Sequence, residues 1–195
     1  MRASRIVVGC VLGLLGVAAG GCATGLHLYV NPQADPAAYT KIALMPFGNL
    51  TSERFAPERV SRALETALLS TDRYSILGVA EFYPLLQRGG VDPGRLTADP
   101  DKLKAVTSSV GVTGILRGVV TEYQIQRVGQ EEYPLVAFDA ELLDGPTGTV
   151  VWRTTVTTRG RSSLTLLGLS GDRSFAQVTE KACGRAVASL RAKGF

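Results

Sequence analysis

The stretch 41-KIALMPFGNLTSERFAPERVSRALETALLSTDRYSIL-77 decides the fold. Its first seven residues, 41–47, are a short apolar run ended by Gly48-Asn49, the pattern of a buried strand. Val60, Leu64, Ala67 and Leu68 then recur at helical spacing, with Pro57 where a first helical turn tolerates it. Burying Val60, Leu64 and Leu68 contributes at most about 1.5–3 kcal/mol each, while Arg59, Arg62 and Glu65 fall on the wet side. A turn through Thr71 and Asp72 leads to a second strand, residues 73–77. Strand, helix and returning strand make a parallel crossover the default, so the helix packs one face on a sheet.

Downstream, 79-VAEFYPLLQRGG-90 reads as a short helix, although Pro84 loses a backbone bond unless it lies in the first turn. A firmer helix follows. Asp99 can cap it, Pro100 takes the first position, Leu103, Val106 and Val110 form the stripe, and Gly111 ends it. From Gly114 the period changes to two, and residues 114–125, 135–144 and 149–160 read as three successive strands, the last pair joined by the turn 144-DGPTG-148. Val136, Phe138, Ala140 and Leu142 share one face of the middle strand, with Ala137, Asp139 and Glu141 on the other, wet, face. Trp152 is expected on one core face with Val150, Thr154 and Val156. A last helix starts near Ser174, where SFAQ matches a capping box. The expected fold is α/β (α+β), a single mixed sheet in the order β-α-β-α-α-β-β-β-α with helices packed on it.

Upstream, Arg2 and Arg5 precede an apolar run from Ile6 to Ala19, and small residues Gly20 and Gly21 follow, which is the pattern of an export signal. The run 19-AGGC-22 fits a bacterial lipobox at Gly20, Gly21 and Cys22, with Ala19 where leucine is most common. Residues 1–21 are therefore expected as a signal peptide, Cys22 as the lipidated first residue, 22–39 as a tether and 40–195 as a single domain. Simple secretion is the alternative. Within the tether, Leu26, Leu28 and Val30 alternate as an edge strand would.

Removing residues 1–21 takes away Arg2 and Arg5 and leaves 19 basic against 17 acidic side chains, a net of +2. That balance argues against nucleic acid as a partner. Cys183 is left without a disulfide partner, so the domain must stand on its hydrophobic core.

The search for chemistry returns little. The single histidine, His27, sits beside the expected anchor, away from any formed pocket. One His and one unmodified Cys cannot supply the usual nitrogen and sulfur ligands of zinc. Capping explains Asp99 and Asp101, a hairpin tip explains Glu131 and Glu132, and a wet strand face explains Asp139 and Glu141. No catalytic, metal or cofactor residues are expected beyond the covalent lipid on Cys22. Two stretches remain as candidate partner contacts: Asn49 and Thr51, in a loop beyond a strand's carboxyl end where open α/β sheets bind ligands, and the apolar Leu164, Leu166, Leu167 and Leu169. Asn49 and Thr51 also serve a plain turn into the helix.

The segments KIALMPFGNLTS, DRYSILGVAEF, VGVTGILRGVVTEY and LLDGPTGTVVW, in that order over about residues 40–191, resemble the exported lipoprotein domain shared by the curli-secretion channel CsgG, the penicillin-binding-protein activator LpoB and the flagellar lipoprotein FlgO. The resemblance implies a periplasm-facing protein on the outer membrane that acts by binding other envelope proteins, a peptidoglycan synthase or a secretion component, and not by catalysis. It also implies homo-oligomer formation as an alternative, in the manner of a CsgG-type channel subunit. Spanning hairpins need about 9–11 residues per strand. The candidates, residues 123–138 and 157–175, are charged at the tip or hold one apolar strand only.

Overall fold

The computed structural model describes residues 25–160 and 174–195. Eleven elements follow one another: β1 (Leu26–Val30), β2 (Lys41–Leu44), β3 (Gly48–Asn49), α1 (Ala56–Leu69), β4 (Ser75–Leu77), α2 (Val79–Arg88), α3 (Pro100–Ser109), β5 (Gly114–Val128), β6 (Glu131–Asp144), β7 (Val150–Arg159) and α4 (Phe175–Arg191). The seven strands form one mixed sheet in the order β1-β7-β6-β5-β2-β4, with β3 on β5. The architecture is α+β, and it adds two strands to the expected order. The short alternation in the expected tether is β1, which pairs antiparallel with β7. β3 lies inside the expected turn at Gly48-Asn49 and pairs parallel with Val119 and Val120.

The crossover predicted from residues 41–77 is present: β2 and β4 run parallel, Ile42 opposite Ile76, and α1 connects them. On the other edge of β2, β5 is parallel as well. β5, β6 and β7 are antiparallel neighbours.

Each face of the sheet has its own apolar core. α1 and α4 bury Val60, Leu64, Leu68, Ala182, Cys183 and Ala186 against Leu116, Val120, Phe138, Leu142 and Trp152. α2 and α3 bury Phe82, Leu86, Leu103 and Val106 against Ala43, Met45, Ile115 and Leu143 on the opposite face.

The local signals account for the helix ends. Asp99 accepts a hydrogen bond from the Lys102 N–H at 3.2 Å and Gly111 adopts φ +66° after α3. Ser174 and Gln177 form the capping box of α4, the Gln177 N–H donating to Ser174 Oγ at 3.2 Å. Pro84 lies inside α2, beyond its first turn. The lost bond is tolerated because Phe82 and Leu86 on the same helix are fully buried.

One face assignment differs from the periodic reading. The register shifts between Leu142 and Leu143, where Leu142 opposes Trp152 but Leu143 opposes Val150. This bulge places Val151 in the α1–α4 core and turns Val150 toward the α2–α3 core, while Trp152, Thr154 and Val156 keep the expected face.

Candidate functional site

Of the residues expected to make contacts, only Asn49 and Thr51 are described; Cys22, Leu164, Leu166, Leu167 and Leu169 lie outside the described residues. Asn49 closes β3, and its Oδ1 accepts from the Thr51 N–H at 2.9 Å and from Thr51 Oγ1 at 2.8 Å. Its Nδ2 donates to the Glu53 carbonyl at 3.0 Å. Both side chains are thus engaged in turning the chain from β3 into α1, where no side chain caps the helix. Beside this turn, at the carboxyl ends of β2 and β4, a concavity of about 480 Å³ opens between α1 and the start of α2. Phe47, Pro57, Ser61, Glu65 and Val79 line it. The groove thus lies where the topology of an open α/β sheet leads one to look.

A second concavity, of about 450 Å³, lies on the sheet itself. α2 and α3 cover β2 and the ends of β5 and β6, and the remaining outer face of β5, β6 and β7 has polar side chains in its place. Cross-strand register builds a row here: Tyr29 of β1 opposes Arg153 of β7, which opposes Glu141 of β6, which opposes Arg117 of β5. In the next row His27 opposes Thr155, and Thr155 opposes Asp139. Thr155 Oγ1 donates to Asp139 Oδ1 at 2.6 Å.

Glu141 is the centre of this face. Expected on a wet surface, its residue is only 8% exposed, because the two flanking arginines lie over it. Arg117 Nε donates to Oε1 at 2.6 Å, Arg153 Nε donates to Oε2 at 2.8 Å, and Arg153 Nη2 donates to the same oxygen. Burial alone would push the carboxyl upward, but the hydrogen bonds from Arg153 and Arg117 and their charges outweigh it and hold Glu141 below the usual glutamate range. Both carboxylate oxygens are occupied by guanidinium donors. The arrangement can present fixed charge to a partner, and it is poorly suited to moving a proton.

The sequence signal for this cluster lay in single charges set inside otherwise apolar strands, Arg117 in GILRGVV and Arg153 in VVWRTTV. Periodicity assigns each to an outer face. Only register brings the three side chains together.

Cys183 lies fully buried in α4, where its thiol donates to the Val60 carbonyl at 3.6 Å. Burial, reinforced by Glu180, pushes the thiol up to about 12. It is a packed core residue. Among the described residues no three His, Cys, Asp or Glu side chains converge in a metal-binding group, and no helix is long and apolar enough to cross a membrane.

No protein-family model matches the chain, and no curated protein matches it. Solved structures do. The PelC dodecamer from Paraburkholderia phytofirmans superposes with a TM-score of 0.57 at 18% identity, covering 86% of this chain and 96% of that one. Lipoprotein GNA1162 from Neisseria meningitidis gives a TM-score of 0.50 at 18% identity, covering 79% and 96%. The C-terminal domain of LpoB from Salmonella enterica gives 0.44 at 17% identity, covering 62% and 82%. At these identities the likeness is one of fold.

Proposed function

We propose that this chain is a bacterial lipoprotein anchored through a diacylglyceryl group on Cys22 to the periplasmic face of the outer membrane, and that its α+β domain is a non-catalytic module that binds other proteins of the cell envelope. The fold carries the reading: it spans nearly the whole length of GNA1162, a lipoprotein, and of PelC. The lipobox-like residues 19–22 and the LpoB-like motif order point the same way. The Arg117–Glu141–Arg153 cluster supports the non-catalytic part, since the most enclosed carboxylate of the described residues is held as a fixed charge. A peptidoglycan synthase or a secretion component is the partner class. The wild-type chain should float with membranes and carry an acyl mass on Cys22, whereas Cys22→Ser should be released to the soluble fraction. A Cys22→Ser protein that stays fully membrane-bound would sink the anchor.

The PelC structure favours a second reading, because it is a dodecamer: here the chain is one subunit of an oligomeric secretion assembly. The native mass of the full chain, extracted gently in detergent, separates the two. A discrete ring of many copies selects the assembly; a monomer or dimer selects the accessory module.

A further inference from the structure

We infer that the arm formed by the β5–β6 hairpin is a membrane-docking element, seated in the headgroup layer of the bilayer that holds the Cys22 lipid. This deepens the proposed anchoring and rests on it.

The first observation is a leash shorter than the domain it holds. β1 begins at Leu26, and the Gly25 carbonyl already accepts from the Thr157 N–H at 3.0 Å. Four residue steps from Cys22 to Leu26 span at most about 14 Å even when fully extended. β1 is antiparallel to β7, so the chain leaves the sheet toward Thr157 and Arg159, which is also the direction in which the β5–β6 hairpin runs. Leu26 opposes Val156, and Val156 opposes Phe138 of β6. From Phe138 the hairpin continues for seven more paired residues to Glu131, a projection of about 24 Å at strand rise. Among the described residues β7 ends at Arg159, opposite Leu135, and over residues 125–134 β5 and β6 pair only with each other, as a two-stranded arm. The arm reaches about 10 Å further than the leash allows Cys22 to go.

The second observation is where apolar surface is left bare. Seven large apolar side chains are exposed among the described residues: Ile125 and Val128 lie on the arm itself, and Leu26, Leu50 and Phe55 lie near its foot. Leu50 is placed there by its backbone bond to Val120, and the start of α1 by Arg59, which lies over the Tyr123 ring. Leu69, at the far end of α1, marks the opposite pole. Leu50 is 72% exposed, and Ile125 and Val128 50% each. Such one-sided exposure marks an interaction surface, and the leash identifies the surface it meets.

The third observation is the character of the charges. Arg127 donates to Glu132, Tyr133 Oη donates to Glu131, and the Arg159 guanidinium lies 4.9 Å over the Tyr133 ring. The Arg54 guanidinium lies 5.5 Å from the Phe55 ring centroid. Amphipathic arginines and aromatic rings suit the headgroup region, and the hydrogen bonds from Arg127 and Tyr133 to Glu132 and Glu131 lessen the repulsion of these acids by anionic headgroups. Docking is therefore apolar in character and insensitive to salt.

The test uses the full acylated chain in vesicles of phosphatidylethanolamine and phosphatidylglycerol with brominated acyl chains. Single fluorophores are placed through Ile125→Cys, Val128→Cys and, as the distant control, Leu69→Cys; Cys183 is buried and stays unlabelled. Quenching at positions 125 and 128 should exceed that at 69 by at least about twofold, as expected for side chains some 5–10 Å into the interface, and should survive high salt. Equal quenching at all three positions in protein that still floats with the vesicles would overturn the docking surface while leaving the anchor intact. Cross-linking of Val128→Cys between copies in place of quenching would likewise overturn it, in favour of a second chain as occupant. Failure to float, with no acyl mass on Cys22, would overturn the anchor and the docking surface with it.

Discussion

The two faces of β6 sit on one backbone and follow different physics. Toward α1 and α4, Val136, Phe138, Ala140 and Leu142 are buried among other apolar side chains. Toward the open side, Asp139 and Glu141 are covered, among the described residues, by their neighbours on the sheet, Thr155, Arg117 and Arg153. The first face is stabilised by area removed from water. The second is held by register, because a carboxylate with two arginines opposite it has a low energy only in one pairing. A helix layer over the second face would have to desolvate three charges at once; leaving it open keeps the arginines half in water.

That contrast can be broken from either side. Phe138→Ala on the closed face should cost the most, about 3–5 kcal/mol in urea unfolding, since Phe138 is fully buried and packs edge-on to Phe47 at 6.3 Å. Gly118→Ala should come next, at about 1–3 kcal/mol. A Cβ there would run into the Phe47 ring and the Asp139 carbonyl, and the carbonyl is backbone that cannot swing away. Its destabilisation should shrink in a Phe47→Leu background, which separates the ring clash from the carbonyl clash.

On the open face the effects are smaller. Glu141→Gln should cost about 1–2 kcal/mol, less than a fully buried pair, because both arginines keep water contact. Its pH dependence carries the diagnosis. Glu141 is held below its ordinary 4.5, so its stabilisation is fully present above that value and is lost as pH falls through the lower folded value. The stability difference between wild type and Glu141→Gln should therefore be flat above about pH 5 and narrow on acidification. A difference that widens toward acid would show that the arginines do not hold the charged form. Smallest of all, Arg62→Ala removes an exposed pair with Glu58 on α1 and should change stability by less than about 0.5 kcal/mol.

Much of this was legible in the chain. Spacing of Val60, Leu64 and Leu68, the Asp99-Pro100 start of α3 and the Ser174 box of α4 are contacts within one or two turns, so the local sequence specifies them. Alternation in β6 likewise assigns Phe138 and Glu141 to opposite faces. Less legible were the two short strands. β1 shows its alternation at Leu26, Leu28 and Val30 but is only five residues long, and β3 has two residues and no period at all, so neither could be set apart from a tether or a turn by pattern alone. The bulge at Leu142 and Leu143, which sends Val150 to the other core, depends on where β7 meets β6.

Local physics, read in residues a few positions apart, thus determined from sequence alone the helices, their caps, the inward and outward faces of the strands away from the bulge at Val150, and the parallel crossover of residues 41–77. Tertiary structure decided what lies between distant residues: that Arg117 and Arg153 converge on Glu141, and that the chain enters the sheet at the end where the β5–β6 arm projects. Pairing and register are long-range choices, set when the whole sheet satisfies its hydrogen bonds and buries its apolar faces together, and no single segment encodes them.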